Sequence, residues 1–318
     1  MSRPFRFIAP MPSVALSRAE FRDALAHIED IGYDSVSTSE HLSLGWWMEP
    51  ITSLLMAAQA NDRLRLLSLV LTNDFRHPVV LHKMAASLDM LSGGRLELGL
   101  GAGWLAEDYA AAGIQFDTSL VRIERLAEAI HVLKGLFSDA PFSFEGEHYH
   151  IRNLDGQPKP VQKPHPPLLI GGGGRKVLSL AAAEADIVGV HCDLRDARLG
   201  SAAAADLAID RIAQKLDWVR EAALAAERPL ESLELQLSIY LCQVTDSVSA
   251  AGTATSVFAD LIRADPALVA SSPAVLIGSV EHCVDALRER REKFGFSYIK
   301  LGGDVDAVAP IVARLAGT

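Results

Sequence analysis

Four consecutive glycines, Gly171 to Gly174, run directly into Arg175 and Lys176. Before them lies the apolar run Leu168-Leu169-Ile170, and after them a segment with helical spacing. A glycine turn between strand and helix lets backbone N–H groups approach a phosphate with no Cβ in the way. The helix N-terminus adds favourable partial charge, and Arg175 or Lys176 would add a full one. A plainer reading gives the glycines to turn geometry alone, but four of them with two cations favour phosphate binding. A dinucleotide fingerprint fits less well, because Lys176 occupies the third glycine position of G-x-G-x-x-G. Asp193, about 20 residues further on, keeps an NAD-binding sheet as a rival.

Two other stretches carry candidate chemistry. In "LELGLGAGW", Gly99, Gly101 and Gly103 alternate across a strand end and leave one face bare, a surface on which a flat ring could lie. Close packing of helix against strand is the alternative. In "GYDSVSTSEHL", Glu40 and His41 follow an apolar run. Histidine exchanges a proton near neutral pH, and Glu40 would orient it; the bland alternative is a hydrogen-bonded structural histidine. His77 precedes a helix-opening proline and reads as structural. His82, His148 and His150 show no metal-ligand spacing, so no metal site is expected. A G-x-S-x-G elbow and a Cys/His constellation are both missing, which argues against a hydrolase. Cys192, Cys242 and Cys283 stand far apart and read as buried thiols of a reducing compartment.

Such residues need elements to position them, and the chain supplies an alternation. Short apolar runs at Phe5–Ala9, Ser35–Ser39, Leu66–Leu71, Leu96–Leu100, Leu168–Ile170, Ile187–Val190, Leu233–Val244 and Tyr298–Leu301 predict strands. Helical patterns fall between them, at about 17–31, 51–61, 79–91, 119–138, 175–185, 205–226, 253–263 and 280–294. Runs such as "LLSLVL" lack polar alternation and so read as buried on both faces, as parallel strands are. Eight strands alternating with helices predict a (β/α)8 barrel over residues 1–318 as a single domain; an open doubly wound sheet is the runner-up. Residues 139–167 break the rhythm and predict an inserted β-hairpin followed by a proline-rich arm. At 318 residues, 49% apolar and a net charge of −10, the chain can bury a large core and is a poor binder of nucleic acid. No run approaches a membrane span and the N-terminus lacks a signal-peptide core, so a soluble cytoplasmic protein is expected.

The stretches "IEDIGYDSVSTSEHL", "TNDFRHPVVLHKMAASLDMLSGGRLELGLGAGW", "FEGEHYHIRNL", "PKPVQKPHPPLLIGGGGRKVLSLAAAEADIVGV" and "GSVEHCVDALRERREKFGFSYIKL" together resemble the bacterial luciferase-like superfamily. Within it they resemble the probable deazaflavin-dependent oxidoreductases. The resemblance spans essentially the whole chain. It implies a barrel with insertions, often dimeric, that binds FMN or coenzyme F420 at the C-terminal face of its strands. It further implies that Gly172, Gly173, Gly174 and Arg175 hold the cofactor phosphate. A bulge, often with a non-proline cis peptide, would support the cofactor ring near Leu71, Thr72 and Asn73. His41 matches the family's recurrent active-site histidine. Where the deazaflavin sugar-phosphate dehydrogenases carry a proposed catalytic Glu, this chain has Trp104, which argues against a sugar-phosphate substrate.

The resulting expectation is an F420-dependent oxidoreductase that moves a hydride to or from a small organic substrate. Gly101 and Gly103 would flank the ring with Leu71–Asn73, His41 with Glu40 would serve catalysis, and Trp46, Trp47 and Trp104 would wall the substrate pocket. The rivals are an FMN-dependent monooxygenase that uses O2, with a reductase partner supplying reduced cofactor, and a flavin-binding barrel without turnover. A homodimer is expected.

Overall fold

The computed structural model describes residues 3–13, 16–44, 48–194 and 201–318. Trp46 and Trp47 lie outside the described residues. In chain order the strands are β1 Arg6–Pro10, β2 Ser35–Thr38, β3 Arg65–Ser68, β4 Leu71–Thr72 and β5 Leu96–Gly101. They continue with β6 Phe142–Glu145, β7 His150–Leu154, β8 Leu168–Gly172 and β9 Ile187–Val190. The last four are β10 Glu234–Ile239, β11 Leu241–Val244, β12 Val275–Gly278 and β13 Phe296–Leu301.

β1, β2, β3, β5, β8, β9, β10 and β13 pair in parallel, each with two neighbours, and the β3–β5 pairing closes the ring. The protein is a (β/α)8 barrel, and the closure disposes of the open sheet. Its staves carry apolar residues on both faces because both faces are covered. Ile8, Leu67, Leu69, Leu169, Ile187 and Tyr298 pack on one another inside the ring. Phe7, Leu66, Leu98, Val188 and Ile299 face outward into the larger core under the helices. At the N-terminal end of the ring, Arg6 pairs with Asp34 at 2.6 Å, Glu97 at 2.5 Å and Glu234 at 2.7 Å. The Tyr298 hydroxyl donates to Glu97 at 2.6 Å. Burial opposes ionisation of Glu97, but Arg6 and Arg65 hold its carboxyl below the usual range.

The expected hairpin is present: β6 and β7 pair antiparallel. Its turn is tied to the helix Ser119–Phe137, whose Glu128 carboxylate accepts the backbone N–H groups of Glu147, His148 and Tyr149. Several elements differ from the sequence reading. The third strand does not run from Leu66 to Leu71 but breaks after Ser68 at a cis Leu69–Val70 peptide and resumes as β4. The run Leu233–Val244 divides at Tyr240, where the chain leaves the barrel; β11 then pairs with β12, a strand the sequence reading lacked. Helices Ala106–Ala112, Pro266–Ser271 and Val305–Leu315 were also unforeseen. The first two are short, and the third carries Pro310 in its interior, which breaks the usual helical signature. Among the described residues, no helix is long and apolar enough to cross a membrane.

Candidate functional site

A cavity of about 1260 Å³ opens at the C-terminal ends of the barrel strands. One wall is the irregularity after β3. Gly99 and Gly101 are bare on the face that meets it. A Cβ on Gly99 would lie 1.8 Å from the Ser68 carbonyl oxygen, and one on Gly101 would lie 2.8 Å from Cγ2 of Val70. The alternating glycines therefore admit the bulge itself, and Leu69 and Val70 present the surface to the cavity. Two groups beyond β2 hold the bulge in place. The Ser39 hydroxyl donates to the Leu69 carbonyl at 3.0 Å, and the Glu40 carboxylate accepts the Thr72 N–H at 2.8 Å. Both Glu40 oxygens also accept from the Arg76 guanidinium, at 3.0 and 2.5 Å.

Those contacts correct two expectations. Glu40 lines the cavity but is spent on Thr72 and Arg76, so it supports the bulge and does not orient His41. Leu71 turns into the main core, and the Asn73 side chain reaches the Tyr149 hydroxyl at 3.4 Å; of the three positions expected to back a ring, only Thr72 lines the cavity. The bulge comes two residues earlier than expected, so its cavity-lining residues are Leu69 and Val70, and at Leu71 the chain has already resumed as β4 against the core.

The residue that orients His41 is Asp108, on the unforeseen helix Ala106–Ala112. His41 Nδ1 lies 2.8 Å from Asp108 Oδ2, and both side chains are nearly buried, 13% and 3% exposed. Asp108 Oδ1 accepts three further bonds, from the Leu42 N–H at 3.0 Å, the Ser43 N–H at 2.7 Å and the Ser43 hydroxyl at 2.6 Å. Burial pushes this carboxyl up, but the donors from Ser43, His41 and Leu42 together hold it below its usual value. An ionised Asp108 can only accept, so Nδ1 carries a proton and Nε2 is the ring nitrogen turned away from Asp108. The Trp104 ring meets the His41 ring edge-on, with centroids 5.7 Å apart. Gly103, between this wall and the bulge, has φ +77°, and a Cβ there would lie 2.0 Å from the Tyr109 hydroxyl. Arg122 fixes the same segment by donating to the carbonyls of Ala102 and Gly103.

Across the cavity lies the glycine turn. The close neighbours differ along it. A Cβ on Gly172 would strike Val177 at 2.3 Å, and one on Gly173 would strike the Cys192 carbonyl carbon at 2.2 Å. At Gly174 it would meet only Asp193 Oδ2, at an ordinary 3.5 Å. Packing thus accounts for Gly172 and Gly173 but not for Gly174. Gly174 is the N-cap of the helix Arg175–Glu184 and gives it no side-chain cap. Among the described residues no side chain accepts the first-turn N–H groups, and the turn fits a phosphate. Arg175 lines the rim, but its guanidinium rests on Glu221 at 2.9 Å, a 65%-exposed surface pair and not part of the turn.

The remaining wall contains groups that sequence reasoning passed over. His191 Nδ1 lies 3.2 Å from the Tyr240 hydroxyl, and burial, then Lys300 and Lys215, push the imidazole down to about 4, so it is neutral. Lys215, fully buried, donates to the carbonyls of Gly173 at 2.6 Å and His191 at 3.0 Å, and to Asp206 at 2.5 Å. Lys300 and Ser238 complete this side. A signal for Lys300 was present: it is the one charged residue in the apolar run "YIKL".

Comparison with known proteins bears on the family and the fold. The model of the family described as luciferase-like monooxygenase matches residues 5–264. An FMNH(2)-dependent dimethylsulfone monooxygenase from Pseudomonas putida is 26% identical over 228 residues, 64% of this chain and 62% of the relative. An F420-dependent glucose-6-phosphate dehydrogenase from Amycolatopsis mediterranei is 28% identical over 220 residues, 67% of this chain and 62% of the relative. The matched region thus spans less than two thirds of either relative. The structure of coenzyme F420 dependent tetrahydromethanopterin reductase from Methanopyrus kandleri superposes with a TM-score of 0.77 at 15% identity, covering 99% of this chain and 98% of that one. At that identity the likeness is one of fold.

Proposed function

Because the chain belongs to the luciferase-like monooxygenase family, we propose that it is an oxidoreductase that transfers a hydride between coenzyme F420 and an organic substrate. The observation that carries this reading is the meeting, in one cavity, of an uncapped glycine turn, the Leu69–Val70 bulge and a His41 held by Asp108. A bound deazaflavin supplies the two-electron chemistry.

The chain's own residues do the rest. The N–H groups at and after Gly174 bind phosphate, and Leu69 and Val70 back the ring. Trp104 packs against the His41 ring and keeps water from it. Asp108 fixes the tautomer of His41, so that Nε2 gives or takes the proton that balances a hydride on a carbonyl-type carbon. The Amycolatopsis relative supports F420. The Pseudomonas relative supports a second reading, a monooxygenase that consumes O2 and draws reduced FMN from a partner reductase.

Anaerobic turnover separates the two. Reduced F420 with a panel of ketones, imines and enones should be reoxidised by the protein without oxygen, and more slowly by His41→Asn. Substrate consumption only with reduced FMN and O2 would give the reaction to the second reading.

A further inference from the structure

Two lysines stand around the cavity, Lys215 fully buried and Lys300 half-buried in the cavity wall, and the structure treats them differently. Lys215 has its three acceptors, which is what a buried ammonium requires. Lys300 has no hydrogen-bond or ion-pair partner among the described residues. It projects inward from β13, one layer above Tyr298, beside Ile8 of β1 and Ser238 of β10 in the strand register. The neighbouring imidazole, His191, is neutral and adds no negative charge. Burial alone lowers the Lys300 amine, to about 8, so it is mostly cationic at neutral pH. A cation partly withdrawn from water and facing a cavity without an acceptor carries a desolvation cost that an anionic ligand seated there would offset.

We propose that Lys300 is an anion-recognition residue of the cavity, and that the molecule seated there places a negatively charged group of a flat, ring-sized ligand against it. The cavity's other walls fit the body of such a ligand: Leu69, Val70 and Trp104 are apolar, while Glu40 is neutralised by Arg76 and does not compete for the ammonium. The shared chemistry has two sources, a substrate carboxylate and the anionic ring of a reduced cofactor. This inference rests on the proposed function only for the second source.

The test uses benzoate and its neutral isostere benzamide, together with oxidised and reduced FMN, each titrated by calorimetry into the wild-type protein, Lys300→Met and Lys300→Arg. The melting temperature of each variant checks that it is folded. If Lys300 recognises a substrate anion, benzoate binds the wild type, Lys300→Met loses at least tenfold in affinity, about 1.4 kcal/mol, and Lys300→Arg keeps most of it. Benzamide binding is then indifferent to the substitution. If Lys300 recognises the cofactor anion, Lys300→Met loses reduced FMN at least tenfold more than oxidised FMN, and Lys300→Arg restores the difference. Lys300-dependent benzoate binding in a protein that binds no flavin would uphold this inference while the proposed function failed. Wild-type and Lys300→Met proteins that bind every probe within twofold of each other, or bind neither anion, would overturn it.

Discussion

Gly174 is the position at which packing and ligand binding separate. It has φ −88° and ψ 155°, which any residue adopts, and a Cβ there meets only Asp193 Oδ2 at 3.5 Å. Gly174→Asp should therefore fold. As an N-cap, aspartate accepts the first-turn N–H groups and stabilises a helix by a few tenths of a kcal/mol over glycine, an increment that repulsion from Asp193 reduces. Thermal stability should stay close to wild type. Binding should not. The new carboxylate occupies the donors that a phosphate would use and sits roughly 5 Å from it, where two charges repel by about 3 kcal/mol at an effective dielectric of 20. Allowing for screening at the cavity mouth, cofactor affinity should fall about 10- to 100-fold, or about 1.4–2.8 kcal/mol. Gly173→Ala is the contrasting control, since its Cβ would lie 2.2 Å from the Cys192 carbonyl carbon. It should cost stability, about 1–3 kcal/mol, through forced backbone movement. Fluorescence titration of F420 and FMN with a thermal melt on the same samples reads both quantities. Gly174→Asp with wild-type affinity for both cofactors would show that the turn holds no phosphate.

Further expectations concern the opposite walls and the core. His41→Asn should lower turnover roughly 10²–10⁴-fold with cofactor affinity nearly unchanged, and Asp108→Asn should lower it less while displacing the pH–rate profile; both follow from steady-state kinetics over pH 5–8. Gly101→Ala should destabilise through contact with Val70, and Val70→Ala in the same chain should recover part of the loss, a coupling that chemical denaturation measures. His82 is 2% exposed, and burial lowers its imidazole from 6.5 to about 4. Its neutral form favours the fold, so the stability it contributes is complete above pH 6.5 and declines toward pH 4; His82→Phe should flatten the melting temperature over that window.

The barrel was legible because its staves are apolar on both faces and separated by regular helical patterns, as "LLSLVL" and "EAIHVLKGLF" show. The hairpin was legible from alternating aromatics around Glu145-Gly146. The site was legible only where local sequence determines it. His41 and the glycine turn announce themselves by residue type, but the partner of His41 stands 67 residues away on a seven-residue helix that has no side-chain cap. The adjacent acid, Glu40, was the natural guess, and Arg76 and the Thr72 amide claim it instead. Gly101 lines the cavity as expected, but what else the bare face of Gly99 and Gly101 meets was hidden for a related reason. Their bare face admits Ser68 and Val70 from another strand, a contact that no one-strand pattern reveals.

Direct titration tests whether the cavity binds a flavin-type cofactor through the glycine turn. F420 should bind at micromolar concentration or tighter, in a one-to-one ratio and more tightly than FMN, and Gly174→Asp should weaken it while the fold stays intact. Absence of binding by both cofactors to the folded wild-type protein, or tight NAD binding in their place, would contradict it.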